Sequence, residues 1–259
     1  MSQAASNTPK TPTLAARFLP SGDTALVVEF SDKIDRHIST LVLALAQRID
    51  DARLDGIIET VPTFRSLMIH YDPLRLPHAR LRKRLAEFLD GLTVSQTGGR
   101  LWHIPACYDP TLGPDLIEVA ERTDLSVADV IALHSGETYH VYMVGFLPGY
   151  PYMGDLPAKL ALPRRVNPRI KVPMGSLAIA MTMASIYPLE SPGGWHLLGR
   201  TPVWLWDLRR ESPALFRPGD KVKFDPISLA EYEELRARAE AGALTIEPQE
   251  IAHAEASGQ

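Results

Sequence analysis

The residues best suited to chemistry lie in the run LPRRVNPRIKVPMGS, residues 162–176. There Arg164, Arg165, Arg169 and Lys171 set four cations within eight positions, interrupted by Pro168 and without helical regularity. Guanidinium groups on rigid backbone pair bidentately with carboxylates and phosphates. Two readings stay open. The loop is either a site for a small anionic substrate or a nucleotide phosphate, or a basic segment paired with the acidic surface of its own chain.

Two other runs share this texture: GFLPGYPYMGD at 145–155 and ESPGGWHLLGRTP at 190–202. Glycine lets backbone approach a ligand closely, and proline fixes a loop before binding, which lowers the ordering cost of association. The same residues also mark the corners of an all-β fold, so pocket and corner both fit. His134, His140 and His196 are candidate acids or bases. His140 stands in the apolar run YHVYMV and reads as a sheet or core residue, whereas His196 follows Gly193, Gly194 and Trp195 in a turn-rich loop and is the better candidate.

Several chemistries are excluded by what is missing. There is no Gly-Lys dipeptide and so no P-loop, no H-E-x-x-H pattern and no EF-hand spacing of acids. Ser191 cannot sit on a nucleophile elbow, because Leu189 stands where the first glycine would be. The triplet Met181-Thr182-Met183 has threonine where a biotin carrier has lysine, so no biotin is attached to this chain. A single cysteine, Cys107, rules out an intrachain disulfide framework and multi-cysteine zinc motifs, reads as a small buried hydrophobe, and makes the cytoplasm the default location. A metal site is not expected.

The elements that must position these loops come from 259 residues with 45% apolar and 22% charged side chains, an ordinary globular composition. A net charge of -4 argues against general nucleic-acid binding. The polar N-terminus has no signal-peptide core and reads as a loose tail over residues 1–14, and no apolar run is long enough to cross a membrane. TALVVEF suits a strand. Ile34, Ile38, Leu41, Val42, Leu45 and Ile49 recur at helical spacing, a hairpin follows over 57–71, and Leu81, Leu85, Phe88 and Leu89 line a second helix whose Arg82, Lys83 and Arg84 form a solvated face. This order suits a ferredoxin-like βαββαβ domain over 15–98. The linker signal Thr97-Gly98-Gly99 sets a boundary before a second domain at 99–259, although the run LWHIPACY at 101–108 fits either side. Beyond lie two short helices, the second capped by Ser126 and Asp129, then short strands suited to an antiparallel barrel or sandwich, a helix begun at Ser228 with Glu231, and a last strand at 244–246.

Three series of residues carry a resemblance: VYMVGFLPGYPYMGDLPAKLALPRRVNPRIKVPMGS, IYPLESPGGWHLLGRTPVWLWD and FRPGDKVKFDPIS. The chain resembles the family of 5-oxoprolinase B subunits, also described as allophanate hydrolase subunit 1 or the Kip sporulation-kinase inhibitor family, from about Arg17 to Pro248. The resemblance implies an α+β protein whose second domain is a cyclophilin-like antiparallel β-barrel. It implies a C-type partner in a heteromeric complex, a third component of A type, a small-molecule carboxylate substrate, and ATP with magnesium used by the complex to open 5-oxoproline to glutamate. No nucleic acid or membrane is implied.

By the same resemblance Arg164, Arg165 and Arg169 face substrate or phosphate, and Ser191, Gly193, Gly194, Trp195 and Thr201 wall the pocket. His196 and Arg200 are the candidates for catalysis. Where the family commonly reads AIAGxQTGIYP, this chain reads AIAMTMASIYP, so Met181 and Met183 stand in for a glycine and a glutamine, and Ser185 for a glycine. Losing an amide and gaining flexible apolar side chains should alter what the pocket accepts. Two other duties fit the family: a histidine-kinase inhibitor, and a carboxyltransferase half-domain served by a separate biotin carrier.

Overall fold

The computed structural model describes residues 16–93 and 99–251, so the expected tail and most of the expected linker lie outside the described residues. The chain divides into two units, residues 1–95 and 96–259.

In the first unit, β1 (Arg17–Ser21), β2 (Ala25–Glu29), α1 (Arg36–Ala52), β3 (Ile57–Pro62), β4 (Ser66–Tyr71) and α2 (His78–Leu89) follow in order. Asp35 starts α1 by accepting hydrogen bonds from the backbone N–H groups of His37 and Ile38 at 2.8 and 3.2 Å. The helical spacing then buries Leu41, Val42, Leu45 and Ile49, with Leu81 and Leu85 of α2, against Leu26, Val28, Leu67 and Ile69 of the sheet. The sheet is antiparallel in the order β1-β2-β4-β3, so β2 and β3 flank β4. The expectation of one opening strand is corrected: β1 precedes it and takes the edge beside β2. Its residues are mostly exposed and include Pro20, so it lacks the alternation that marks a half-buried strand, and an edge tolerates the proline.

The second unit runs β5 (Arg100–Cys107), α3 (Leu116–Thr123), α4 (Val127–Gly136), β6 (Thr138–Val144), β7 (Pro151–Gly154), β8 (Arg169–Val172), β9 (Ser176–Ala180), β10 (Met183–Ile186), β11 (Ser191–Gly193), β12 (His196–Arg200), β13 (Lys221–Ile227), α5 (Leu229–Glu240) and β14 (Gln249–Glu250). Strands β12-β9-β10-β7-β6-β13-β5 form a seven-stranded barrel, closed where Arg200 pairs with Cys107, and β14 pairs beside β5. The run at 101–108 therefore belongs to this unit. β8 and β11 form a separate two-stranded sheet.

The expected all-antiparallel barrel is corrected to a mixed one. β5 and β13 are parallel from the Leu101–Lys221 pair to the Cys107–Ile227 pair. A parallel pair needs a long crossover, here most of the barrel itself, which strand-by-strand patterning does not reveal. The expected strand at 244–246 is also absent; Leu244 and Ile246 pack on the core in irregular backbone, and β14 lies further on. Both expected capping boxes form, Ser126 with Asp129 and Ser228 with Glu231. Inside lie Trp102, Ile104, Val141, Met153, Ile179, Leu198 and Phe224. Among the described residues no helix is long and apolar enough to cross a membrane, and no group of three or more His, Cys, Asp or Glu could hold a metal.

Candidate functional site

A buried carboxylate organises the basic loop. Asp115, just ahead of α3, has a side chain only 3% exposed and accepts from Arg165 Nη1 at 2.8 Å, Arg169 Nη2 at 2.5 Å and the Leu197 backbone N–H at 2.7 Å. Its own N–H donates to the Leu197 carbonyl at 3.1 Å, so α3 and β12 are locked reciprocally. Gly113 permits this approach, because a Cβ there would lie 2.2 Å from the Leu198 carbonyl oxygen. Arg165 also donates to Glu118 at 3.1 Å. Burial raises the Glu118 carboxyl, but hydrogen bonds from Arg165 and Arg122 outweigh it and hold the group below its usual range.

The four cations thus divide. Arg165 and Arg169 share Asp115, with Glu118 supplying the second negative charge beside Arg165, and Lys171 pairs with Glu190 at 2.9 Å across two exposed side chains. Arg164 is exposed, lies 5.9 Å from the centre of the Trp195 ring, and has no carboxylate partner among the described residues. Pairing within the chain holds for three of the cations, yet the acid that takes two of them is buried rather than on the surface. Behind Arg164 an aromatic cluster stiffens the indole. Trp195 meets Tyr150 and Tyr152 edge-on at 6.4 and 6.2 Å, and Tyr150 meets Tyr187 at 5.2 Å. Burial drives the Tyr150 phenol upward, so it stays neutral and hydrogen-bonds with Ser185 and Tyr187.

The SPGGW turn fits this cluster closely. A Cβ on Gly193 would lie 2.1 Å from the Tyr187 hydroxyl, so that position must be glycine, whereas one on Gly194 would make only ordinary contacts with Pro168. The Gly194 carbonyl accepts the Arg165 N–H at 2.7 Å. Ser191 pairs with Val172 across β11 and β8, and its hydroxyl is buried without a hydrogen-bond partner among the described residues, as are Arg165 Nε, Arg169 Nη1 and His196 Nδ1. Met183 packs on the aromatic cluster. Met181 does not: it is 58% exposed at the β9–β10 turn with φ +54°, where its N–H donates to the Leu162 carbonyl at 2.6 Å.

His196 is fully buried, and its Nε2–H donates to the Pro163 carbonyl at 3.0 Å, which pins the start of the basic loop to β12. Arg200 faces elsewhere, lining a cleft of about 230 Å³ with Glu190, Thr201, Arg236 and Glu240. Thr201 is buried, donates its N–H to Gly175 at 2.9 Å and accepts the Val203 N–H at 3.2 Å. The structure therefore gathers Arg164, Arg165, Arg169, Gly193, Gly194, Trp195 and Met183, and leaves Arg200 and Thr201 on a separate cleft. His134 is buried against Phe224 and the Tyr108 hydroxyl, and burial takes it down to about 3, so it stays neutral. His140 lies in β6, edge-on to Tyr142 at 4.6 Å.

Sequence reasoning missed Asp115 and the tyrosines. The missing signal was a charge balance, since two rigid arginines in a loop need an acid and GPD sits ahead of an amphipathic helix. The result is a guanidinium set against an indole with no acid bonded to it among the described residues, a group suited by its chemistry to pairing with an anion and not to moving protons.

Residues 16–216 match the family model for the carboxyltransferase domain, subdomain C and D. The chain is similar to the 5-oxoprolinase B subunit of Bacillus subtilis (strain 168), 37% identical over 225 residues, which cover 82% of this chain and 92% of the relative. It is equally similar to the 5-oxoprolinase B subunit of Escherichia coli O157:H7, 37% identical over 214 residues, 82% of this chain and 96% of the relative. Among solved structures, that of TTHA0988 superposes with a TM-score of 0.71 at 39% identity, covering 78% of this chain. This chain spans only 40% of the TTHA0988 chain.

Proposed function

Because the chain belongs to the carboxyltransferase subdomain C and D family, together with the B subunits of 5-oxoprolinase, we propose that it is the B subunit of an ATP-dependent complex that opens a small lactam or amide bearing a carboxylate. The observation that carries this reading is Arg164, set over Trp195 without a carboxylate partner among the described residues while Arg165 and Arg169 are paired with Asp115 and Glu118. In this reading Arg164 pairs with the substrate carboxylate. Trp195 and Tyr152 wall one side of the pair, and closure by a partner subunit would exclude water from the other side and strengthen it. Asp115 and His196 keep the loop from collapsing onto the substrate, so binding orders little.

A homologue of the C subunit completes the pocket, and a homologue of the A subunit supplies the remainder of the machinery. ATP, with its magnesium, supplies activation of the lactam oxygen within the complex; this chain offers no Gly-Lys phosphate loop, and ATP is assigned to the complex as a whole. Met183 puts a thioether on the aromatic cluster where the family commonly has an amide, which favours a substrate with a more apolar body than 5-oxoproline. The first unit, over 15–98, is read as ferredoxin-like with β1 in the closing edge position, the second, over 99–259, as cyclophilin-like, and the protein as cytoplasmic.

The test is turnover by the chain co-purified with its C-type and A-type partners, followed as ADP and amino-acid product with 5-oxoproline and with alkyl-substituted lactam carboxylates. Lactam-dependent ADP release, lost without this chain, is expected. The family model's name favours a second reading, carboxyl transfer from a separate biotin carrier. Carboxylation that needs an added biotinylated carrier and ignores lactams would establish that reading instead. Inhibition of a histidine kinase by the chain alone, with no turnover in either assay, would replace both.

A further inference from the structure

A cavity of about 530 Å³ in the second unit contains none of the residues discussed so far as a site. Its walls come from the excursion between β12 and β13, the end of α5 and the segment at 244–247. That excursion is braced by backbone pairing. Trp206 bridges Ala214, the Leu215 N–H donates to the Leu205 carbonyl at 2.9 Å, and the Asp207 N–H donates to the Pro213 carbonyl at 3.0 Å. The volume falls within the range of small-molecule pockets.

The charges lining it can be accounted for one by one. Arg100 is held by Asp220 through Nε at 2.9 Å and Nη2 at 2.5 Å. Arg209 is held by Asp207 through Nε at 2.8 Å and Nη2 at 2.7 Å, and lies 4.8 Å from the centre of the Trp204 ring. Arg210 has no acid bonded to it among the described residues. Its Nη2 donates to the Trp204 carbonyl, and its Nη1 has no partner among the described residues and no exposed surface, so a ligand in the cavity reaches it only once the side chain turns. An N–H of a guanidinium that is buried and unpaired is costly unless something accepts from it. Arg217, exposed on the same cavity, likewise has no side-chain hydrogen bond or ion pair among the described residues. The apolar walls are Trp204, Leu215 and Ile246, and Glu211 and Glu247 are exposed among the lining residues. Those two acids offset the charges of Arg210 and Arg217 across the cavity as a whole, so an anion is held by local pairing with the guanidinium groups and a dianion is disfavoured more than a monoanion.

We propose that this cavity binds a small monocarboxylate with a flat or apolar body, its carboxylate taken by the exposed Arg217 and by Arg210 as that side chain turns its unpaired Nη1 into the cavity, and its body laid against Trp204 and Leu215. The site is independent of the Arg164–Trp195 reading.

The test is titration calorimetry of the full chain with benzoate and with inorganic phosphate. Saturable one-to-one benzoate binding is expected, weakened at least tenfold in Arg210→Gln and at least threefold in Arg217→Gln; the latter residue is exposed, so its variant keeps the test decisive if Arg210→Gln fails to fold. Retention of the signal in Arg164→Gln assigns it to this cavity, and its loss there, with Arg217→Gln unaffected, would overturn the proposal. Phosphate binding without benzoate binding, or no saturable binding of either, would overturn it as well.

Discussion

Two loops of the barrel unit place an arginine on an indole, and they do so by different means. In the loop at 164–171 the balancing acid is Asp115, 50 residues from Arg165 in sequence, buried, and also bonded to the backbone of β12. In the loop at 207–210 the acid is Asp207, two residues from Arg209 and local to a single turn. Arg164 lies 5.9 Å from the Trp195 ring centre and Arg209 4.8 Å from that of Trp204. The first acid ties three segments together, whereas the second shapes only its own turn. Where the acid sits decides whether the same ion pair is a tertiary strut or a surface detail.

That contrast breaks most readily at Asp115. Replacing it by alanine strands part-buried Arg169 and the Leu197 N–H and leaves Arg165 with Glu118 alone, at a cost of about 3–5 kcal/mol. The calorimetric transition of the second unit should fall by roughly 10 °C. A fall of less than about 2 °C would reduce the network to ordinary surface pairing. Next in size is Gly193→Ala, which sets a Cβ 2.1 Å from the Tyr187 hydroxyl and should cost about 1–3 kcal/mol as the aromatic cluster shifts, read as a change in near-ultraviolet circular dichroism with a lowered melting temperature.

A smaller effect of opposite sign is expected at Met181, the turn that fastens Leu162 just ahead of the basic loop. Its φ of +54° suits glycine, so Met181→Gly should stabilise by about 1 kcal/mol and raise the melting temperature by a few degrees. No increase would show that the methionine side chain contributes contacts that offset the backbone strain.

Smallest is Asp207→Asn, which should change stability by less than about 1 kcal/mol, because Arg209 is half exposed and the pair is screened. Its pH dependence sharpens the comparison. Hydrogen bonds from Arg209 hold the Asp207 carboxyl down to about 2, below its ordinary 3.8. The folded value lies below the unfolded one, so the contribution is complete above about pH 4 and is lost as pH falls toward 2. The melting difference between wild type and Asp207→Asn should shrink across that window; a difference that stays constant would show that the ion pair contributes nothing.

Much of this was legible in the sequence because it is local. The faces of α1 and α2, both capping boxes and the three turn-rich loops all follow from spacing within a dozen residues. The features that escaped are long-range or lack pattern. β1 is an exposed edge strand containing a proline, and β5 finds its parallel partner only after the barrel has been traversed. His196 looked like a reactive group because glycines and tryptophan precede it, yet those residues serve the packing of Tyr187 and Tyr150, and the imidazole is spent on the Pro163 carbonyl. Arg165 and Arg164 are adjacent and identical in type. Only the position of Asp115 separates the strut from the free cation.

That separation is the central claim, and one measurement addresses it most directly: the KM for the proposed lactam carboxylate substrate in the proposed complex reconstituted with Arg164→Ala, taken beside the melting temperature of the same chain. Loss of a charge-assisted pair worth about 1.5–3 kcal/mol predicts a KM raised roughly ten- to a hundredfold. The melting temperature should stay within about 2 °C of wild type, since the side chain is exposed and bound to no acid. An unchanged KM, or a loss of stability as large as that from Asp115→Ala, would contradict the account.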